Sequence, residues 1–280
     1  MRFIAPPRAD ATAARLAQPV FAGLSGLAHL LHGDRWWPVA DVDAALQPLR
    51  HQSTGKPLRF VAQEDLLDEA NYELRIFEKG IVATRSGNWH DLLNALVWKR
   101  FNAIKSALNS AQVLDMRRFG IADRSRRQCA LTQFDEGGAV LLLREREHLD
   151  CWNRHDWPAL FLDHRDAWFD GRMRLEVIGH ALLEHALDPH ILLVSKTIAI
   201  LDEDGALASG EVDALVAAAI ARGECLGDPQ DLRPLPLAGI PGWHGDLQDR
   251  DFYKLQPCFR PLRPGRVYPR PLALPVSDPA

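Results

Sequence analysis

The chain lacks paired cysteines. Its four, Cys129, Cys151, Cys225 and Cys258, are widely scattered with no C-x-x-C spacing. A zinc ribbon is thereby excluded, a disulfide framework is not expected, and free thiols in a reducing cytosol follow. No apolar run approaches the roughly 20 residues of a membrane helix. The longest candidate, ILLVSKTIAIL from Ile191, is interrupted by Ser195 and Lys196. The N-terminus, MRFIAPPRADATAARL, has early prolines and an Asp where a signal peptide would have a continuous apolar core. The phosphate-cradling patterns G-x-x-x-x-G-K-[ST] and G-x-G-x-x-G are missing, as is the G-x-S-x-G elbow. P-loop nucleotide binding, simple dinucleotide binding and α/β-hydrolase chemistry are set aside accordingly. Charge of one sign is not in excess: the formal net charge is −4. Such a balance gives no global pull toward nucleic acid or anionic membrane. The expectation is a cytoplasmic protein without a membrane partner, with nucleic acid an open but unfavoured partner.

What is present is an ordinary folding composition, 47% apolar and 25% charged over 280 residues. The pattern predicts an α+β fold, a predominantly helical single body with a few short strands. Short helices occupy the first 55 residues, with Asp41 a fitting N-cap for one ending near Leu49. LRFVAQE from Leu58 alternates like a strand, and LRIFEKGIVATR reads as a hairpin turning at Lys79-Gly80, though strand and helix both stand for 58–84. A helix is predicted over Trp89 to Leu108: Asn88 is its N-cap, and Trp89, Leu93, Leu96, Val97, Phe101, Ile104 and Leu108 form one stripe. Further helices are expected over Arg124 to Phe134, Asp156 to Trp168, Leu175 to Leu187 and Glu211 to Arg222. Ala139 to Leu143 reads as a strand after a Gly137-Gly138 turn, and 191–201 as a buried strand or helix. Eleven of the 19 prolines follow Asp228. The division drawn is a helical body over 1–228 and an extended Pro-rich segment over 229–280 that packs on it. Trp243, Phe252, Tyr253 and Phe259 are its anchors, and its last ten residues fray.

Three polar constellations are candidates for chemistry. His90, Asp91 and Asn94 sit at a helix start, with His90 and Asn94 one turn apart on one face. In GHALLEHALDPH, His180 and Glu184 share a face and supply two metal ligands or a base with its orienting carboxylate. His185 lies five residues from His180, so the H-E-x-x-H zincin motif is not met. In RSRRQCALTQFDEGG, Arg124, Arg126 and Arg127 precede the turn acids Asp135 and Glu136. Those arginines read as an anion clamp and the acids as orienting groups or ligands. Lys196, alone in an apolar stretch, is a further substrate-binding candidate. For each group a plainer alternative stands: a cap, a satisfied histidine, a solvated helix face, a snorkelling lysine.

NWHDLLNALVW from Asn88, KSALN from Lys105, R-x-x-x-x-L-T-Q-F-D-E-G-G from Arg126, G-H-A-L-L-E from Gly179, LPLAGIPGW from Leu235, and DFY with FRP from Asp251 occur in this order. They resemble the bacterial family catalogued as domain of unknown function 3025, over roughly Arg75 to Pro261. The resemblance carries no activity across. It implies that His90, Asp91, Asn94, Asp135, Glu136, His180 and Glu184 belong to a shared pattern, whereas His185 and His190 do not. Ionisable groups at three separate places beside apolar segments are not what a core alone requires. The expectation is therefore a single polar pocket with His90, Asn94, Asp135, His180 and Glu184 as catalytic groups and Arg124, Arg126, Arg127 and Lys196 as substrate-binding groups. The first reading is a hydrolase-type enzyme, with a divalent metal as its optional cofactor and the ligands undetermined. The second is a non-catalytic binding or interaction module, its partner a protein or nucleic acid.

Overall fold

A computed structural model describes residues 3–121, 123–205, 207–244, 249–272 and 274. Short helices Ala13–Leu16 (α1), Ala28–Leu31 (α2) and Val39–Leu46 (α3) lead to a first strand, Arg59–Ala62 (β1). Asp41 lies in the first turn of α3; the N-cap is Pro38. The segment LRIFEKGIVATR is not a hairpin. Tyr72–Lys79 is a helix (α4), capped by the Asn71 side chain and stopped by left-handed Gly80, and Ile81–Thr84 (β2) returns parallel to β1. The period in YELRIFEK is helical because one face packs inward with Arg75 and Ile76 buried.

The expected helix over 89–108 is two helices. Trp89–Arg100 (α5) ends where Phe101 leaves helical geometry at φ −121°, ψ 53°, and Asn102–Phe119 (α6) starts anew. The break is bonded from outside: the Asp213 carboxylate accepts from the backbone N–H of Ala103 (3.0 Å) and Ile104 (2.8 Å). Asp213 thus does for α6 what a local cap does elsewhere. All seven residues of the apolar stripe are nonetheless buried. Periodicity survives the break because both segments face the same core.

Arg126–Gly137 (α7) is N-capped by the Ser125 hydroxyl, which accepts from the Gln128 amide. It runs through Asp135 and Glu136, so these acids lie on the last helical turn and not in a connecting turn. Gly138–Leu143 (β3) follows, fully buried along its length, as befits a strand covered on both faces. After Arg146–Asn153 (α8), the expected helix over 156–168 forms in two pieces, a π-helical stretch at Ala159–Asp163 and then Arg165–Phe169 (α9). The expected helix over 175–187 is a strand, Met173–Val177 (β4), and then a short helix, His180–His185 (α10). Pairing with β3 decides the strand, a long-range contact that periodicity does not contain. Val194–Leu201 (β5) settles 191–201 as strand. Ser209–Arg222 (α11) packs on α6, Arg233–Pro236 (β6) follows, and Phe252–Leu255 (α12) is short.

The larger sheet runs β4-β3-β5-β6, with β3 parallel to β5 and the two outer pairings antiparallel. The Pro-rich segment contributes β6 to it and buries Tyr253 and Phe259; Trp243 and Phe252 are partly buried. Of the last ten residues, Leu272 bridges to Ile200, and most of the rest lie outside the described residues. Trp98, Phe101, Phe134, Trp152 and Phe161 are among the largest side chains wholly withdrawn from water. Each such burial is worth about 1.5–3 kcal/mol, and this mixed α+β core fixes the helix ends that carry the polar groups.

A candidate metal centre

One close approach organises the site. A Cβ on Gly179 would lie 2.6 Å from Gly137 Cα and from Gly138 N. Only glycine there lets the start of α10 press against the junction of α7 and β3. The contact sets His180, the first residue of α10, beside Glu136 on the last turn of α7. The first turn of α5 brings His90 to the same point.

His90 Nδ1–H donates to Glu184 Oε2 at 3.0 Å. An ionised carboxylate only accepts, so this bond fixes the ring proton on Nδ1 and aims the Nε2 lone pair the other way. It faces His180 Nε2 at 3.1 Å, and Glu136 Oε2 lies 3.5 Å from His180 Nε2 and 3.9 Å from His90 Nε2. The three ligand-type atoms all lie within 4.8 Å of one another. Two neutral imidazole nitrogens at 3.1 Å repel through their lone pairs unless a proton or a cation lies between them. Ligands at about 2.0–2.1 Å from a tetrahedral Zn²⁺ are themselves ~3.3 Å apart, and the observed separations bracket that value.

The electrostatics divide the two histidines. Burial, with Lys105 nearby, pushes His180 down to about 3, so its ring is neutral and ligand-competent. The Glu184 bond raises His90. Burial, aided by Asp135, raises Glu136. Asp135 itself forms a buried ion pair with Lys105. Its carboxyl stays below the usual range because the Lys105 charge and hydrogen bond outweigh burial. Among the described residues the buried His180 Nδ1 meets no partner in full hydrogen-bonding geometry, although the Asp135 backbone interacts with the ring.

These groups open into a polar cavity of about 360 Å³, within the span of small-molecule sites. Tyr72, Glu73, Arg85, Asn94, Gln112 and Arg124 contribute to its wall. Asn94 Nδ2 donates to Tyr72 OH at 2.9 Å, while Arg85 is engaged by Asp91 at 2.8 Å. Glu73 accepts from Asn109 Nδ2 (2.6 Å) and Gln112 Nε2 (3.3 Å), and burial followed by the Asp135 charge pushes it up to about 7.

The structure therefore brings His90, Asn94, Asp135 and His180 to one cavity, with Glu184 behind His90, and puts Arg124 on its wall. Arg126 and Arg127 do not join them. Arg126 pairs with Asp228, and Arg127 donates to the Ile220 carbonyl at 3.2 Å. Lys196 lines a different cavity. Sequence reasoning named Glu136 with Asp135 as a possible ligand but left it out of the final catalytic set, and it passed over Lys105, Glu73 and Tyr72. The KSALN block was a signal for Lys105. Nothing local marks Glu73, which reads as an ordinary acid at a helix start.

Fold and site together define an α+β protein with a two-histidine, one-carboxylate cluster at the meeting of three helix ends. Residues 58–263 match the family model described as Protein of unknown function (DUF3025), and the chain belongs to that family. Searches of curated proteins and of solved structures returned no match. Among the described residues no helix is long and apolar enough to cross a membrane.

Proposed function

We propose that this protein is a metal-dependent enzyme of hydrolase type, with His90, His180 and Glu136 as ligands of one divalent cation. The observation that carries the reading is the 3.1 Å approach of two imidazole Nε2 atoms beside a carboxylate oxygen, one ring being oriented from behind by Glu184. Carboxylate–histidine–metal relays have this layout. Three protein ligands leave a coordination position for water or substrate, and a cation there lowers the pKa of bound water toward neutrality. Glu136 is 44% exposed, in keeping with access to the cluster from the cavity. Glu73 serves as proton acceptor from its raised pKa, Arg124 attracts an anionic part of the substrate, and Asn94 and Tyr72 position it. A bacterial, cytosolic setting belongs to the same reading and is supported by the family resemblance and the four free thiols.

One observation favours a second reading, a proton-bridged histidine pin in a binding module: the His90–Glu184 bond already ties α5 to α10 without a metal. Titration of the EDTA-stripped protein with Co²⁺ separates the two. The enzyme reading expects one Co²⁺ per chain with visible d–d absorption, a raised Tm, and loss of both in His180→Ala and Glu136→Gln. The loaded protein is then assayed on nitrophenyl esters and phosphate esters. If Co²⁺, Zn²⁺, Mn²⁺ and Fe²⁺ all leave spectrum and Tm unmoved, and His180→Ala melts several degrees lower regardless of metal, the pin reading replaces it.

A further inference from the structure

A second and larger cavity, about 660 Å³, lies where β5 and β6 meet the Pro-rich segment. It does not involve the histidine cluster. Leu192, Val194, Leu232 and Pro234 give it an apolar wall, and Trp157 and Tyr268 add flat aromatic surface. Among the described residues four cations line it, Lys196, Arg260, Arg263 and Arg266, and no carboxylate does. Among the described residues Lys196, Arg260 and Arg263 form no ion pair. Asp228, whose charge Arg266 feels, is already engaged by Arg126.

The wall is built, not incidental. The Arg260 carbonyl accepts from Trp157 Nε1–H at 2.9 Å and lies 3.0 Å from His155 Nδ1. The other nitrogen of His155 meets Tyr268 OH at 2.9 Å. Arg266 donates to the Gln230 backbone carbonyl and lies over the Tyr268 ring at 4.7 Å. Prolines 229, 234, 257 and 261 stiffen the rim, so little backbone freedom is lost when something enters. Like charges around a low-dielectric cleft repel one another in the absence of an anion and focus potential on one that approaches.

We propose that this cavity binds a small organic anion, a flat or branched apolar body bearing a carboxylate or phosphate group. The body lies against Trp157 and the sheet edge, and Lys196, Arg260 and Arg263 hold the charged end. Arg260 presents its guanidinium from a clamped backbone, suited to the bidentate geometry of either anion. The helix α7 contributes to both cavities, Gln133 to this one and Asp135 and Glu136 to the other. Occupancy here nevertheless requires no metal there.

The test uses the full chain and the fluorescent dye 8-anilinonaphthalene-1-sulfonate, a flat apolar anion. Saturable one-site binding is expected, weakened about tenfold or more in the Lys196→Gln/Arg260→Gln double variant. Both positions are exposed, so the melting temperature should not move, and Lys196→Arg should restore most of the affinity. His180→Ala should leave dye binding intact, which keeps this inference separable from the metal reading. Displacement by adenosine monophosphate assigns a phosphate-bearing ligand, and displacement by octanoate a carboxylate. Non-saturable uptake, or equal affinity in the double variant, overturns the proposal.

Discussion

Replacing Glu73 by Gln should remove a pH effect that the wild-type fold cannot avoid. The Glu73 carboxyl lies between Asn109 and Gln112, facing the Asp135 charge, and is pushed up from 4.5 to about 7. The folded state therefore binds this proton more tightly than the unfolded chain. The favourable contribution is complete below about pH 4.5 and is lost as pH rises to about 7. A shift of this size corresponds to about 3 kcal/mol at most. Glu73 is only partly buried and lines the open cavity, so the expected loss is about 1–3 kcal/mol. The Gln side chain does not titrate. It keeps an acceptor for Asn109, and rotation of the Gln112 amide lets its NH₂ donate there. Urea unfolding in EDTA at pH 5 and pH 8 measures both proteins. Glu73→Gln should gain about 1–3 kcal/mol on wild type between the two pH values. A cation at His90, His180 and Glu136 adds positive charge nearby and should shrink the difference. A wild-type-minus-variant difference that stays flat from pH 4.5 to 8 would refute the reasoning. It would mean that Asn109 and Lys105 keep the carboxylate charged in the folded state.

Gly179→Ala forces a methyl against Gly137 and Gly138. It should cost about 1–3 kcal/mol in urea unfolding and weaken Co²⁺ uptake by moving His180 away from Glu136. Asp213→Ala removes the acceptor for two amides at the start of α6. The expected loss is about 1–2 kcal/mol, read as a lower urea midpoint at unchanged slope, with metal binding untouched. Arg126→Gln breaks only an exposed pair with Asp228. It should change stability by less than about 0.5 kcal/mol and leave Co²⁺ affinity as it was; a clear loss of affinity would return Arg126 to the site.

The residues themselves determined a good deal. The apolar stripe from Trp89 to Leu108, the helix ending at Arg222 and the strand after Gly138 each express a period that burial of one face or both imposes on any fold. The polar set His90, Asp135, His180 and Glu184 stands out for the same reason, since ionisable groups beside apolar runs need partners. Which partner each obtained was decided only in three dimensions. Asp135 and Glu136 are adjacent and differ by about 100° of helical rotation. The packing of Gly179 on the α7–β3 junction turns Glu136 toward the histidines and leaves Asp135 to Lys105. Met173–Val177 became a strand because β3 offered a ladder, and Lys196 went to another cavity because its strand presents alternate side chains to opposite faces. Periodicity records which side of an element is dry. It does not record the rotation and contact angle between elements, and these place one side chain, and not its neighbour, at the point where the histidines meet.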